Sequence, residues 1–221
     1  MNLPAELFSA PWLWGALLLT LGVVAQVARR APWREVTEGR RSGVILGFGV
    51  LLGLMWSMNA GVQPGLNLHL LGAMAATLAL GPYFAVLALA IALTAITLNG
   101  AIGWAAWPIN FLLMCVVPVA VAYAFQRFIE RVLPPNFFIF VFVIAFAGSA
   151  LAVISGGLTA SLAMVAAGAY PFSFLASDYL PYFILLGFSE AWLGGGLISL
   201  LVVYKPDWVA AFDDSRYLIG K

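Results

Sequence analysis

The sequence predicts an all-α fold, a polytopic membrane bundle of about seven transmembrane helices with the N-terminus outside and the C-terminus in the cytoplasm. Of its 221 residues 64% are hydrophobic and only 9% are charged, with a mean hydropathy of +1.04. Soluble domains carry charge on roughly a quarter of their residues. Apolar runs of 18 residues or more, long enough to cross a bilayer as helices, recur along the chain, and the third run, 68–81, is short.

Seven apolar runs are the predicted spans of one membrane domain, residues 1–221. Pro108 and Pro118 predict kinks in the fifth run. The sixth run is too long for one untilted span, and Gly156-Gly157 predicts a break within it. The predicted spans cover residues 11–28, 43–60, 68–81, 83–98, 104–125, 137–167 and 181–204.

The distribution of basic residues predicts the orientation of the chain. Loops 29–41 and 126–136 are rich in arginine, whereas loops 61–67, 99–103 and 168–180 contain no Lys or Arg. Because short basic loops stay in the cytoplasm, the second group of loops and the N-terminus are expected outside. His69 is then expected near the outer face.

Composition and motifs exclude several classes of function. A net charge of +1 gives no electrostatic basis for binding nucleic acid. The chain contains no Walker A, CxxC or HExxH pattern, which favours a protein that is not an enzyme and has no nucleotide site of its own.

Ser155 and His69 could be paired as an intramembrane protease, but Val153 stands where the rhomboid-type GxSG pattern has glycine. The single cysteine, Cys115, is expected to be a small core or lipid-facing residue.

Two ionisable residues within the apolar runs are candidates for function. His69 is the only histidine, and it could be an interfacial side chain bonded to a loop or a ligand for nickel, cobalt or zinc. Glu190 lies in the seventh run, where insertion of an acidic side chain costs roughly 2.5–3.5 kcal/mol. A protonated carboxyl bonded to a neighbouring helix is the favoured interpretation, with a transport role as the alternative.

Glycine patterns in the same runs predict close helix packing. The pairs Gly43/Gly47 and Gly49/Gly53 are four residues apart, and three glycines follow at 194–196. Small residues on one helix face let two backbones approach closely in a membrane.

Several segments resemble the CbiM/NikM proteins, the substrate-capturing membrane components of cobalt and nickel energy-coupling factor transporters. The run "LHLLGAMAATLALGPYF" resembles their "HLLG…LLGP" segment, and "GWAAWPINFLLMCVVP", with Asn110, resembles "GANVFNMG". The run "SEAWLGGGLISLLVVY" resembles their closing "EGLIT" helix, with Glu190 at the acidic position. The opening "MNLPAELF" resembles "MHIPDGFL", with Met1 and Pro4 matching.

The resemblance implies a site for a divalent metal ion, cobalt or nickel, as substrate rather than as a permanently bound cofactor. In the family the N-terminus folds back into the outer side of the bundle. The terminal amine, the nitrogens of the second residue and the HLLG histidine then surround the ion. At the matching positions of this sequence the resemblance implies that the Met1 amine and the His69 imidazole are kept. Asn2 stands where the family has a histidine as its second residue. An Asn2 oxygen would favour harder ions and lower the affinity for nickel or cobalt.

The resemblance also implies partners and a location. A transmembrane coupling subunit and ATPase subunits would drive transport through this multi-pass protein of the bacterial inner membrane, which otherwise contacts only the lipid bilayer. The alternative is a structural or accessory membrane subunit that kept the fold and lost metal binding.

Overall fold

The computed structural model describes residues 1–39, 41–61 and 63–217, and this part of the chain is helical without any strand. The seven main helices are α1 (Ala10–Arg30), α2 (Ser42–Ser57), α3 (Ala73–Leu80), α4 (Pro82–Leu98), α5 (Trp104–Val132), α6 (Ile139–Ala166) and α7 (Leu180–Tyr204). Short helical turns cover Ala5–Leu7, Arg34–Thr37, Phe172–Asp178, Pro206–Trp208 and Asp214–Tyr217. A helix therefore lies in every predicted run, and the all-α membrane architecture is confirmed.

Helix α3 is much shorter than the predicted span at 68–81. Its eight residues make a helix of about 12 Å, less than half the ~30 Å hydrocarbon core. Gly72 and Gly81, with φ of 68° and 77°, bound the helix at its two ends. Glycine adopts this left-handed backbone readily, so the chain enters and leaves the helix abruptly. A short third span is predicted by the sequence, and the helix is shorter still because the residues before Ala73 form no helix.

Within the described ranges, four helices are long and apolar enough to cross a membrane, namely α1, α5, α6 and α7. Helices α2 and α4 are apolar but have 16 and 17 residues. All residues of α3 are buried, and α3 packs against α4, α5 and α6 at the centre of the bundle. Its small side chains allow these neighbours to approach closely.

The predicted break at Gly156-Gly157 is wrong, because both residues lie within the continuous helical part of α6. A methyl group added at Gly156 would lie 3.2 Å from side-chain atoms of Leu71 and of Met1, and one at Gly157 would collide with the Phe183 ring. These glycines therefore serve close packing. A helix longer than the bilayer thickness needs no break, since it can tilt or protrude.

Three helices contain π-helical segments, at Phe111–Val116 in α5, Ile139–Ala147 in α6 and Ala191–Gly195 in α7. Two of these segments begin directly after Asn110 and Glu190. Such wide turns are rare and often occur at functional sites. The segment in α5 also separates Pro108 from Pro118, so both prolines lie beside a change of helix type.

The carboxyl end of α3 is held by the basic loop and the C-terminal tail. Arg41 Nη1 donates a hydrogen bond to the Ala79 carbonyl at 3.2 Å, and the Ala210 N–H donates to the same oxygen at 3.0 Å. Arg216 also lies 3.8 Å from the Glu130 carboxylate. These basic groups and the tail thus lie at the opposite end of α3 from His69.

Candidate functional site

The first residues of the chain lie inside the bundle. Met1 and Asn2 are 2% and 7% exposed, and Leu3 is fully buried. Asn110 on α5 holds this segment, since its Oδ1 accepts the Leu3 N–H at 3.0 Å and its Nδ2 donates to the Leu3 carbonyl at 2.8 Å. A second bond from Nδ2 to the Ala106 carbonyl, at 2.9 Å, fixes the amide itself. The N-terminal segment therefore has one defined position.

His69 lies in the extended segment before α3, with only 4% of its surface exposed. Its Nδ1 is 3.1 Å from the Leu70 carbonyl oxygen, and its ring packs on Trp56 with centroids 5.1 Å apart. Nε2 is buried and has no hydrogen-bond partner in the described part of the chain. When Nδ1–H donates to Leu70, Nε2 carries a free lone pair, which is the state of a histidine ready to bind a metal ion.

The N-terminus lies beside His69. The terminal amine and the carbonyl of Met1 lie close enough to the His69 ring to interact with it electrostatically. Burial lowers the pKa of the terminal amine from 8.0 to about 4, so the amine is neutral at pH 7. Asn2 Oδ1 is buried and lacks a hydrogen-bond partner among the described residues. Such atoms are uncommon and costly in folded proteins, and the described residues contain two others, Ser161 Oγ and Tyr217 Oη.

Glu190 holds the segment that carries His69. The carboxylate is 2% exposed; one oxygen accepts the Leu71 N–H at 2.9 Å and the other accepts the Gly72 N–H. Its partners lie at the start of α3, as expected for a bond to a neighbouring helix. Both carboxyl oxygens accept a backbone N–H, which a carboxyl group can do in either charge state. The adjoining Gly194 and Gly195 do pack closely, against Ser149 and Phe146.

The structure thus separates the sequence-predicted residues into two groups. Met1 lies beside the His69 ring and Asn2 follows it in the chain, whereas Asn110 and Glu190 bind the backbone of the two segments that carry these residues. The described residues contain no group of three or more His, Cys, Asp or Glu side chains that could hold a metal ion. A site at this position would therefore depend on the chain terminus and amide groups.

Trp56 was missed by sequence reasoning. Besides packing on His69, it donates from Nε1 to the Leu71 carbonyl at 3.3 Å, and its side chain is fully buried. Twelve residues, most of them in an irregular loop, lie between Trp56 and His69, so no helical spacing connects the two. Cys115 is a buried core residue.

Comparison with known proteins identifies the type of protein that this chain resembles. The family model described as "CbiM: Cobalt uptake substrate-specific transmembrane region" matches residues 2–208. A crystal structure of a truncated transition metal transporter superposes with a TM-score of 0.80 at 17% identity, covering 92% of this chain and 99% of the other. A second transition metal transporter gives 0.72 at 18% identity, covering 91% and 92%. Among curated protein sequences no significant match is found.

Proposed function

The chain belongs to the CbiM family of cobalt uptake transmembrane components, and from this membership we propose that it is the substrate-capturing subunit of an energy-coupling factor transporter. Its substrate is a divalent transition metal ion, cobalt or nickel. The protein forms a single membrane domain over residues 1–221, with the N-terminus outside and the C-terminus in the cytoplasm of a bacterium.

One observation carries the proposal of an ion site. The buried Nε2 of His69, which has no hydrogen-bond partner among the described residues, lies beside the N-terminus, where the amine of Met1 and the side-chain oxygen of Asn2 are buried as well. Neutral imidazole and amine nitrogens are donors that suit cobalt and nickel. The segments carrying these donors are fixed by Asn110 and Glu190, so the donors are positioned before the ion arrives.

The donor set predicts a weaker site than one with two imidazoles. Asn2 offers an amide oxygen where a histidine would offer a ring nitrogen, and oxygen donors suit harder ions. Two nitrogens and one oxygen leave room for water or for a small chelating molecule in the remaining positions of a cobalt or nickel ion. The affinity is expected to fall below that of a four-nitrogen site while the preference for divalent ions is kept.

Energy for transport must come from other subunits, since the sequence contains no Walker A motif. The partners are a transmembrane coupling subunit and ATPase subunits. The protein tagged at its C-terminus and purified from membranes of its host should co-purify with a protein that carries a Walker A motif, as identified by mass spectrometry. Purification without any ATPase would contradict the assignment to this class of transporter.

Uptake tests the substrate directly. Host cells grown at limiting cobalt or nickel should accumulate less of one of these metals, measured by elemental mass spectrometry, when His69 is replaced by alanine. The replacement Asn99→Ala, at an exposed loop residue, is the matched control and should leave accumulation unchanged. Equal accumulation in the wild type and in His69→Ala would contradict the proposal.

The second candidate function is an accessory membrane subunit that retains the fold without binding metal. Asn2 is the observation that favours it, because the loss of an imidazole would be tolerated in a protein that binds no metal. In that case His69→Ala and Asn2→Ala would both leave uptake of cobalt and nickel unchanged.

A further inference from the structure

Glu190 is a buried carboxylate without a cationic partner. None of the ion pairs in the described ranges 1–39, 41–61 and 63–217 includes it. Charged groups buried without a partner are strongly destabilising, and in membrane proteins they usually serve a specific function. The two N–H bonds from Leu71 and Gly72 compensate only part of this cost.

The position of Glu190 relates it to the proposed ion site. Leu71 is two residues from His69, so their Cα atoms are separated by at most about 7 Å. The three proposed donors, an amine, an amide oxygen and an imidazole, are all neutral. A divalent cation bound by neutral donors in a buried place brings two positive charges, and the Glu190 carboxylate, bonded to the segment that carries His69, is a group that can balance them.

We propose that Glu190 is a positioning residue of the ion site: its carboxylate fixes the His69 segment through Leu71 and Gly72 and supplies the negative charge that favours a divalent cation. This inference rests on the proposed function. It accounts for the bidentate acceptance of two backbone N–H groups and for a carboxylate that is kept within an apolar helix at an energetic cost.

Three variants separate charge from structure. Glu190→Gln keeps the size of the side chain and removes the charge, and Glu190→Asp keeps the charge but shortens the reach by one methylene group. Glu6→Gln is the matched control, because it removes an exposed carboxylate in the N-terminal turn. Each detergent-purified protein is titrated with Ni²⁺ and Co²⁺ by calorimetry, and the d–d absorption of bound Co²⁺ reports the geometry of its donors.

The expected result is a loss of affinity of about 10- to 100-fold in Glu190→Gln, which is the usual effect of removing a group that orients a metal ligand. Glu190→Asp is expected to bind more tightly than Glu190→Gln but with a shifted Co²⁺ absorption band, since His69 is held less firmly. Glu6→Gln should stay within about twofold of the wild type.

Two results would overturn the inference. If Glu190→Gln binds Ni²⁺ and Co²⁺ with wild-type affinity, even with a lower thermal midpoint, then Glu190 contributes only to the stability of the fold. If Glu190→Gln does not fold, Glu190→Asp is the test. An unchanged metal affinity and an unchanged Co²⁺ spectrum in Glu190→Asp would contradict the proposal. Absence of metal binding in the wild type would instead overturn the proposed function, so the two failures are distinguishable.

Discussion

Asn110 and Leu3 form a paired amide contact in which Asn110 both accepts from the Leu3 N–H, at 3.0 Å, and donates to the Leu3 carbonyl, at 2.8 Å. The two residues are 107 positions apart in sequence, and the contact reproduces the pairing of two backbone amides in a sheet. Through it, a helix in the middle of the chain determines where the N-terminus lies. Met1 and Asn2 are placed next to His69 as a consequence.

Replacing Asn110 by aspartate should release the N-terminal segment. Aspartate keeps the acceptor but turns a second oxygen toward the Leu3 and Ala106 carbonyls, which lose their donor. Each buried carbonyl left unpaired costs about 1–3 kcal/mol, so the thermal midpoint in detergent and the Ni²⁺ affinity should both fall. Asn99→Asp, in an exposed loop, is the control. A variant Asn110→Asp that binds Ni²⁺ like the wild type would show that this contact does not position the donors.

Replacing Gly72 by alanine should destabilise the start of α3. Gly72 has a φ of 68°, a conformation that costs other residues about 1–2 kcal/mol. The added methyl group would also collide with Leu52. Gly47→Ala is the control, because Gly47 lies in α2 with nothing within 4 Å of an added methyl group. Thermal unfolding should show a clearly lower midpoint for Gly72→Ala and an equal or slightly higher one for Gly47→Ala, and equal midpoints would contradict this.

A residue added before Met1 should abolish metal binding. The terminal amine is buried, and an extension replaces it with a peptide group and has no space beside the 2% exposed Met1. A serine added at the N-terminus is therefore expected to reduce Ni²⁺ affinity as severely as His69→Ala does. The same serine added at the C-terminus is the control. Undiminished binding by the N-terminally extended protein would exclude the Met1 amine as a donor.

The pH dependence of affinity should identify the donor that Asn2 provides. Because burial lowers the pKa of the Met1 amine to about 4, the folded protein holds no proton on this group between pH 6 and 8. If Asn2 binds through its Oδ1, neither Met1 nor Asn2 releases a proton when the ion binds. A deprotonated Asn2 backbone amide would instead release one proton, and this group alone would raise the affinity by about tenfold per pH unit. Calorimetry in buffers of different ionisation enthalpy counts the protons, and none is expected from Met1 or Asn2.

Much of the fold could be predicted from the sequence, because apolar runs report directly on burial in lipid. Helix α3 was the exception, since its eight apolar residues are buried in protein and not in lipid. The Gly156-Gly157 pair was taken for a break because glycine weakens helices in water. Within the bundle, the same two residues make room for Leu71, Met1 and Phe183.

The sequence and the family resemblance predict Met1, Asn2 and His69 as donors and Glu190 as a residue bonded to a neighbouring helix, but not the backbone groups that Glu190 and Asn110 bind. A single histidine and an acidic residue in apolar runs can be identified as candidates from the sequence, because placing an ionisable side chain in a membrane span costs free energy. That Glu190 binds the backbone beside His69, and Asn110 the backbone of Leu3, depends on contacts 118 and 107 residues apart in the chain. No local pattern encodes contacts at such separations, and Trp56 was overlooked for the same reason.

Titration of the detergent-purified protein with Ni²⁺ and Co²⁺, alongside His69→Ala and Asn2→His, tests the central claim most directly. The protein must keep Met1 as its free N-terminus. We expect measurable binding by the wild type, none by His69→Ala, and tighter binding by Asn2→His, since an imidazole at position 2 adds a nitrogen donor beside Met1 and His69. Binding that persists unchanged in His69→Ala, or no binding by any of the three proteins, would contradict an ion site at Met1, Asn2 and His69.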